Sequence, residues 1–185
     1  MKAICISGSR NPDGQTATAA KAVTEGLSEK GCLCEQFFLP ALQIERCRQC
    51  DDRGWGSCRT EGKCVIKDDF ADLVSKISQS DAVIFANPVY FGDLSESLRA
   101  FLDRLRRITR HDDGKVEVAD TPAVGVCVAG GGGGGAPNCC LSLEKVLSTC
   151  GFDVLDLVPV RRQNLQAKLA RLKLTGQWLA EAARQ

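Results

Sequence analysis

Residues 3–16 decide the fold of this chain, and they read AICISGSRNPDGQT. The apolar run from Ala3 to Ile6 is typical of a buried strand. A polar stretch with two glycines follows, and apolar residues over 15–29 then recur at three- and four-residue spacing, which predicts a helix. A strand, a polar loop and a helix in this order are typical of the start of an α/β fold.

The same alternation continues to the end of the chain. Apolar runs predict four further strands, at 34–39, 82–85, 123–128 and 154–160. Helical spacing predicts four further helices, at 68–79, 94–106, 139–150 and 164–183. Strict alternation favours right-handed crossovers and a parallel sheet with helices on both faces. We therefore expect one domain over 1–185, with a Cys-rich insert at about residues 40–67.

The composition supports a globular fold and excludes several classes of protein. The chain has 185 residues, of which 44% are hydrophobic and 25% charged, so it is not a disordered, collagen-like or coiled-coil sequence. A formal charge of +1 provides no overall positive field, and we expect neither nucleic acid nor a membrane as partner. We see no signal-peptide core and no apolar stretch of membrane length, which predicts a soluble, cytoplasmic protein.

Eleven cysteines are the main anomaly of the composition. An odd number cannot pair completely within one molecule, and the set fits a reducing compartment better than a disulfide scaffold. Cys5 and Cys127 lie in predicted buried strands, where a thiol behaves as a small hydrophobic group. Four others are crowded into the polar insert: Cys47, Cys50, Cys58 and Cys64.

Three loops follow predicted strands at the carboxyl edge of the sheet, where ligands of open α/β sheets bind. The first runs from Ser7 to Thr16 and combines hydroxyls, glycines, an arginine and a helix N-terminus, which are the parts of a phosphate site. An ordinary Ser/Asn/Asp/Gly turn is the alternative.

The other two loops suit a flat ligand. Asn87 to Leu94 brings Tyr90 and Phe91 to the same edge, and aromatic rings beside a phosphate site favour a planar heteroaromatic ligand. These rings are alternatively packed into the core to hold the loop. Six glycines, Gly130 to Gly135, expose backbone that can press against such a ligand, although they also suit a flexible surface connection.

Taken together, these residues resemble the NAD(P)H-dependent FMN reductases of flavodoxin-like fold. The resemblance rests on Gly8 to Thr16, Pro88 to Gly92 and Asp103-Arg104. It implies a three-layer α/β sandwich whose five-stranded parallel sheet has the order 2-1-3-4-5, with FMN between strands one and three. It also implies phosphate contacts from Ser7, Ser9, Arg10, Gln15 and Thr16, and ring contacts from Pro88, Val89, Tyr90, Phe91, Gly92, Ala129, Gly130 and Gly131.

The cysteines of the insert resemble the motif of iron-sulfur flavoproteins, a branch of the same superfamily that holds a [4Fe-4S] cluster near the flavin. Here the spacing is Cys47-x2-Cys50-x7-Cys58-x5-Cys64, whereas the branch has only two residues between its second and third cysteines, so that Arg53 stands where the third would fall. The longer loop costs only about 1 kcal/mol of closure entropy. The cluster, a zinc ion and free thiols stay open as alternatives.

The sequence therefore predicts an FMN-binding oxidoreductase or electron-transfer flavoprotein. Its electrons come from NAD(P)H or from a ferredoxin-type protein donor, and the resemblance implies a homodimer or homotetramer. The chemistry belongs to the cofactor, so we expect no catalytic side chain. A zinc-stabilised interaction protein without flavin is the alternative.

Two groups of charged residues are expected to be ordinary surface. Asp103, Arg104, Arg106, Arg107 and Arg110 lie on or after the third helix and are expected to be solvated, ion-paired or part of a dimer contact. His111 is the only histidine, and we expect it to be solvated in a charged turn near Asp112-Asp113-Gly114.

Overall fold

The computed structural model describes residues 1–111 and 118–184. Its five strands are β1 (Lys2–Ser7), β2 (Leu33–Phe38), β3 (Ala82–Pro88), β4 (Pro122–Ala129) and β5 (Asp153–Arg161). Its helices are α1 (Gln15–Glu29), α2 (Ser57–Thr60), α3 (Phe70–Ser78), α4 (Glu96–Ile108), α5 (Ala136–Cys150) and α6 (Leu165–Ala182). Strands and helices thus alternate as the sequence predicts.

The strands form one parallel sheet in the order β2-β1-β3-β4-β5, which confirms the predicted topology. Because β1, β3 and β4 are neighbours, the loops that follow them meet at one edge. We call this the carboxyl edge. The buried residues of β1, β3 and β4 form continuous apolar runs, as expected for strands covered on both faces.

Helices cover both faces of the sheet. One core packs α3, α4 and α5 against one face, and a second core packs α1 and α6 against the other. Helices α1 and α6 approach closely, since a Cβ atom on Gly26 would lie 2.0 Å from the Lys173 carbonyl oxygen. Cys5 and Cys127 are buried in these cores, as their positions in the apolar runs predict.

The differences from the sequence prediction lie at the ends of elements and in the insert. Helix α5 begins at Ala136, three residues before the expected start at 139, and the single turn of α2 was not expected. The predicted turn at Asp112-Asp113-Gly114 lies outside the described residues. Within 1–111 and 118–184, no helix combines the length and the apolar character needed to cross a bilayer.

Candidate functional site

The first loop is shaped by its own hydrogen bonds. Ser7 is buried and its Oγ accepts from the Ser9 N–H at 3.3 Å, while the Ser9 Oγ accepts from the Asn11 N–H at 3.2 Å. The Asn11 Oδ1 then accepts from the Asp13 N–H at 3.0 Å. Ser7 and Ser9 therefore order the turn that leads into α1.

Helix α1 begins at Gln15 with no side chain capping its N-terminus and no acidic residue in its first turn. The first N–H groups of a helix have no acceptor within the helix, and they carry its partial positive charge. Thr16 is buried in this turn, Gln15 is half-buried and Arg10 is exposed. This N-terminus has the features of an anion site that the sequence predicts.

The second loop turns tightly after β3 and presents its rings to solvent. Backbone hydrogen bonds join Tyr90 and Asp93 in both directions, and Phe91 has a φ of 51°. Tyr90 is 54% exposed and Phe91 110% exposed. The alternative in which these rings pack into the core is therefore wrong, because they are available to a ligand or a partner.

The Gly-rich loop lies directly against the second loop. A Cβ atom on Gly135 would lie 2.5 Å from the Cα of Gly92, so the two backbones pass at a distance that only glycine permits. By contrast, Cβ atoms on Gly130, Gly131, Gly132 and Gly134 would meet nothing within 4 Å. This open backbone can approach a flat ligand closely.

A cavity of about 230 Å³ joins the first two loops. Its walls consist of Gly8, Arg10, Pro40, Tyr90, Ser95, Glu96 and Ser97. The structure thus places Arg10 and Tyr90 of the predicted set on one cavity. Thr16 and Ala129 to Gly131 belong to neighbouring loops of the same edge but do not line this cavity.

Sequence reasoning missed the residue that ties these loops together. Asn87 is fully buried; its Oδ1 accepts from the Ser95 N–H at 3.0 Å, and its Nδ2 donates to the Cys139 Sγ at 3.2 Å. Ser97 adds a hydrogen bond from its Oγ to the Gly8 carbonyl oxygen at 3.1 Å. A polar residue at the end of an apolar strand was the signal for Asn87.

An ion pair supports the second loop from α4. The Arg99 Nη2 lies 2.6 Å from both carboxylate oxygens of Asp93. Burial by itself raises the pKa of Asp93, but hydrogen bonds from the Leu94 N–H, Ser142 and Arg99 outweigh burial, so the pKa lies below its usual range. Asp93 therefore stays ionised and holds the turn.

The four cysteines of the insert line a single small cavity of about 20 Å³. All eleven cysteines lie within the described residues and are free thiols. Across the described ranges, no three His, Cys, Asp or Glu side chains are arranged to hold a metal ion. The thiol set fits a metal centre chemically, since thiolates bind zinc and iron-sulfur clusters, but its sulfurs are not gathered at ligand distance.

Arg104 on α4 is buried in an ion pair, so the expectation that it lies on ordinary surface is wrong. Its side chain is only 1% exposed and pairs with Asp68 at 2.6 Å. Burial by itself raises the pKa of Asp68, but hydrogen bonds from Arg104 and from the Glu45 N–H lower it below its usual range. Arg106 does form the expected surface ion pair, with Asp103 at 3.1 Å.

His111 is also less exposed than expected. It is half-buried and packs against Gly62 of the insert, where a Cβ atom would lie 2.7 Å from the His111 Cδ2. The glycine at residue 62 thus makes room for the imidazole ring.

The fold and the loops agree with a known family. A model of the family described as NADPH-dependent FMN reductase matches residues 1–166. The chain belongs to this family. The resemblance inferred from the sequence motifs is therefore confirmed.

Individual relatives and solved structures are also similar to this chain. An iron-sulfur flavoprotein of Methanocaldococcus jannaschii is 33% identical over 71% of this chain and 65% of its own length. The NAD(P)H:quinone oxidoreductase of Methanothermobacter marburgensis has a similar structure, with a TM-score of 0.71, 20% identity, and coverage of 96% of this chain and 98% of that one. An archaeal flavodoxin matches with a TM-score of 0.65 and 13% identity over the whole of both chains, so the fold is flavodoxin-like.

The chain spans less than two thirds of the length of the iron-sulfur flavoproteins that it matches first.

Proposed function

We propose that this protein is an FMN-binding oxidoreductase that receives electrons from NAD(P)H or a ferredoxin-type protein donor. The observation that carries the proposal is the uncapped N-terminus of α1 next to a cavity with an exposed Tyr90. Together they offer an anion site and an aromatic surface at one edge of the sheet. Membership of the NADPH-dependent FMN reductase family supports the same assignment.

The proposed phosphate site consists of the first turn of α1 and the loop before it. Backbone N–H groups of this turn and the Thr16 hydroxyl donate to phosphate oxygens, while Arg10 adds positive charge at the solvent side. Ser7 and Ser9 keep the turn in shape, and the Gln15 amide supplies a further donor. Each such contribution amounts to about 0.3–1 kcal/mol when exposed and more when sheltered.

The proposed ring site lies between the second loop and the Gly-rich loop. Residues 88–92 and 129–131 frame it, and the open backbone around Gly130 offers N–H groups to the edge of a flat ring. Bound FMN supplies the electron-transfer chemistry. The chain's own part is to hold the ring, to exclude water from one side of it and to place it near the surface.

We also propose that Cys47, Cys50, Cys58 and Cys64 hold an iron-sulfur cluster. Support comes from their position on one cavity and from the names of the most similar relatives. Because the cavity is only about 20 Å³, the segment must rearrange to admit a cluster. This small volume favours a second candidate, a single zinc ion that stabilises a non-redox interaction protein without flavin.

A homodimer or homotetramer is part of the proposal. Phe91 is fully exposed beside the proposed flavin site, and Leu174 and Trp178 are exposed four residues apart on α6. Exposed aromatic and aliphatic side chains of this kind favour contact with another chain.

Anaerobic purification followed by a visible spectrum, flavin extraction and iron and zinc assays tests these proposals. We expect one FMN per chain, and bleaching of its absorbance by NADPH, NADH or a reduced ferredoxin. Rapid bleaching by nicotinamide alone supports a reductase, whereas bleaching only by the protein donor supports an electron carrier. Colourless protein with one equivalent of zinc would contradict the flavin assignment and support the second candidate.

A further inference from the structure

The cavity of the Cys-rich insert has two arginines in its wall. Arg104 and Arg107 line it together with the four cysteines and Trp55. They lie on consecutive turns of α4, which forms the floor under the insert. Among the described residues, the Nε atoms of both arginines are buried and have no hydrogen-bond partner.

Most of the Arg104 guanidinium is already satisfied. It donates to both oxygens of Asp68, at 2.6 and 2.9 Å, and to the Glu45 carbonyl oxygen at 3.0 Å. Its Cζ lies 4.1 Å from the centre of the Phe70 ring. Glu45 and Asp68 flank the four cysteines in the sequence, so Arg104 closes the Cys-rich insert at its base.

Arg107 holds the middle of the insert. Its Nη1 donates to the Gly54 carbonyl oxygen at 2.6 Å, and its Cζ lies 4.7 Å from the centre of a Trp55 ring. Within the described residues, Arg107 forms no ion pair with a carboxylate. Asp68 pairs directly with Arg104, whereas Asp103, which lines a neighbouring cavity together with Arg107, is paired with Arg106.

An unpaired buried N–H group and an unbalanced charge are both costly. Both guanidinium groups have an unpaired Nε–H, and both line the cavity that the four thiols line. Four thiolates around a divalent metal ion carry a net negative charge, and their sulfurs accept N–H hydrogen bonds. A metal-loaded insert therefore supplies acceptors for the unpaired Nε–H groups of both arginines and a negative charge beside Arg107.

We propose that Arg104 and Arg107 are positioning residues for a tetrathiolate metal centre, with their Nε–H groups as donors to its sulfurs and Arg107 as its counter-charge. The inference rests on the metal-ligand part of the proposed function and does not depend on flavin. It predicts that both arginines strengthen metal binding, and that Arg107 raises the reduction potential of a cluster, because its charge favours the more negative reduced form.

The test compares Arg107→Met with Arg106→Met in the full-length protein. The two variants remove the same charge from adjacent positions, but Arg106 does not line the cavity of the four cysteines and pairs with Asp103. Affinity is measured with Co²⁺ by thiolate-to-metal absorption, and the potential of any cluster by anaerobic titration. We expect Arg107→Met to weaken Co²⁺ binding by about tenfold, as for one hydrogen bond to a charged acceptor. The one-electron potential of a cluster should fall by about 59 mV for each tenfold by which the variant weakens the reduced form more than the oxidised form.

Arg106→Met should leave both quantities near those of the unaltered protein. Arg107→Lys retains the charge without the planar donor, and we expect it to restore the potential more fully than the affinity. Equal Co²⁺ affinities in the Arg107→Met and Arg106→Met proteins would overturn the proposal. A cluster potential in Arg107→Lys as low as in Arg107→Met would overturn the assignment of Arg107 as the counter-charge.

For Arg104, the double variant Arg104→Met/Asp68→Leu removes both buried charges, which avoids leaving one of them unpaired. We expect it to fold, with an unchanged visible flavin spectrum and weakened Co²⁺ binding. Flavin bound by a protein that takes up no metal would overturn this inference but leave the flavin assignment intact. Arginine-dependent Co²⁺ binding in a protein without flavin would support the inference and contradict the flavin assignment.

Discussion

The carboxyl edge and the Cys-rich insert hold their residues in different ways. At the carboxyl edge, backbone contacts and short local hydrogen bonds shape the loops, as between Gly92 and Gly135 or within residues 7–13. In the insert, the only α-helix is the single turn of α2, and Arg104 and Arg107 of α4 hold the chain by donating to backbone carbonyl oxygens. The first region is therefore shaped by its own contacts, whereas the second is the region that the proposed metal centre would complete.

The largest expected effect comes from breaking the buried ion pair between Arg104 and Asp68 at the base of the insert. Asp68→Leu leaves Arg104 buried without a carboxylate, which should lower the free energy of unfolding by about 3–5 kcal/mol. Urea unfolding followed by circular dichroism measures the loss. Glu45→Gln is the control, because it breaks only the exposed pair with Arg48 and should cost at most about 1 kcal/mol. Similar losses in both variants would show that the buried pair is not what closes the insert.

The second prediction tests the close contact between loops at the carboxyl edge. Gly135→Val introduces a β-branched residue at a φ of 81° and a Cβ atom 2.5 Å from the Gly92 Cα. The strain of about 1–3 kcal/mol should weaken FMN binding by up to about a hundredfold. Gly31→Val is the matched control, since residue 31 has a similar φ of 75°, a Cβ atom there meets nothing within 4 Å, and it follows the C-terminus of α1, away from the carboxyl edge. Fluorescence titration with FMN measures both, and equal affinities would contradict the proposed ring site.

The third prediction concerns the phosphate site. Ser9→Ala/Thr16→Ala should weaken FMN binding by more than about tenfold, because it removes one donor and the hydroxyl that orders the turn. Thr24→Ala/Ser28→Ala removes two hydroxyls farther along α1 that bond only to helix carbonyl oxygens, and it should leave the affinity unchanged. Unchanged FMN affinity in the first variant would show that the phosphate lies elsewhere.

The smallest expected effect is a dependence of stability on pH. The pKa of Asp68 is lower in the folded protein than its usual value. Its contribution is therefore fully present above the unfolded pKa of about 3.9 and is lost as pH falls through the folded pKa. Denaturant unfolding between about pH 5 and pH 2 should show a steeper loss in the unaltered protein than in Arg104→Met/Asp68→Leu. Parallel curves would contradict the assignment to Asp68.

The sequence was sufficient to predict the sheet and the position of the three loops. An apolar run such as Ala82–Phe85 indicates a buried strand. A helix with one buried face is indicated by the spacing of Phe70, Leu73, Val74 and Ile77. Both patterns can be read from local sequence, because strand and helix periods differ. The order of strands followed from the family resemblance. The first loop was recognisable as a candidate phosphate site because its glycines and hydroxyls directly join a strand to a helix.

The insert was less predictable, because its structure depends on contacts distant in sequence. Arg104 resembles Arg106 and Arg107 in the sequence, and only the packing of Glu45 and Asp68 over α4 makes it a buried residue. Asn87 was similarly inconspicuous until its bonds to Ser95 and Cys139 were seen. The exposure of Phe91 depends on a left-handed turn that no local pattern indicated.

The two ends of the insert are hydrogen-bonded to each other, and this pairing affects which changes in the length of the insert the fold tolerates. Asp69 donates its N–H to the Gln43 carbonyl oxygen at 3.0 Å, and its carboxylate accepts from the Gln43 N–H at 2.7 Å. The two ends of the insert are held side by side. Exchanging or extending the segment between them therefore costs only about 0.6 kcal/mol of loop-closure entropy for each doubling of its length. A longer insert is thus compatible with the same fold, and the carboxyl edge with its proposed FMN site is left unchanged.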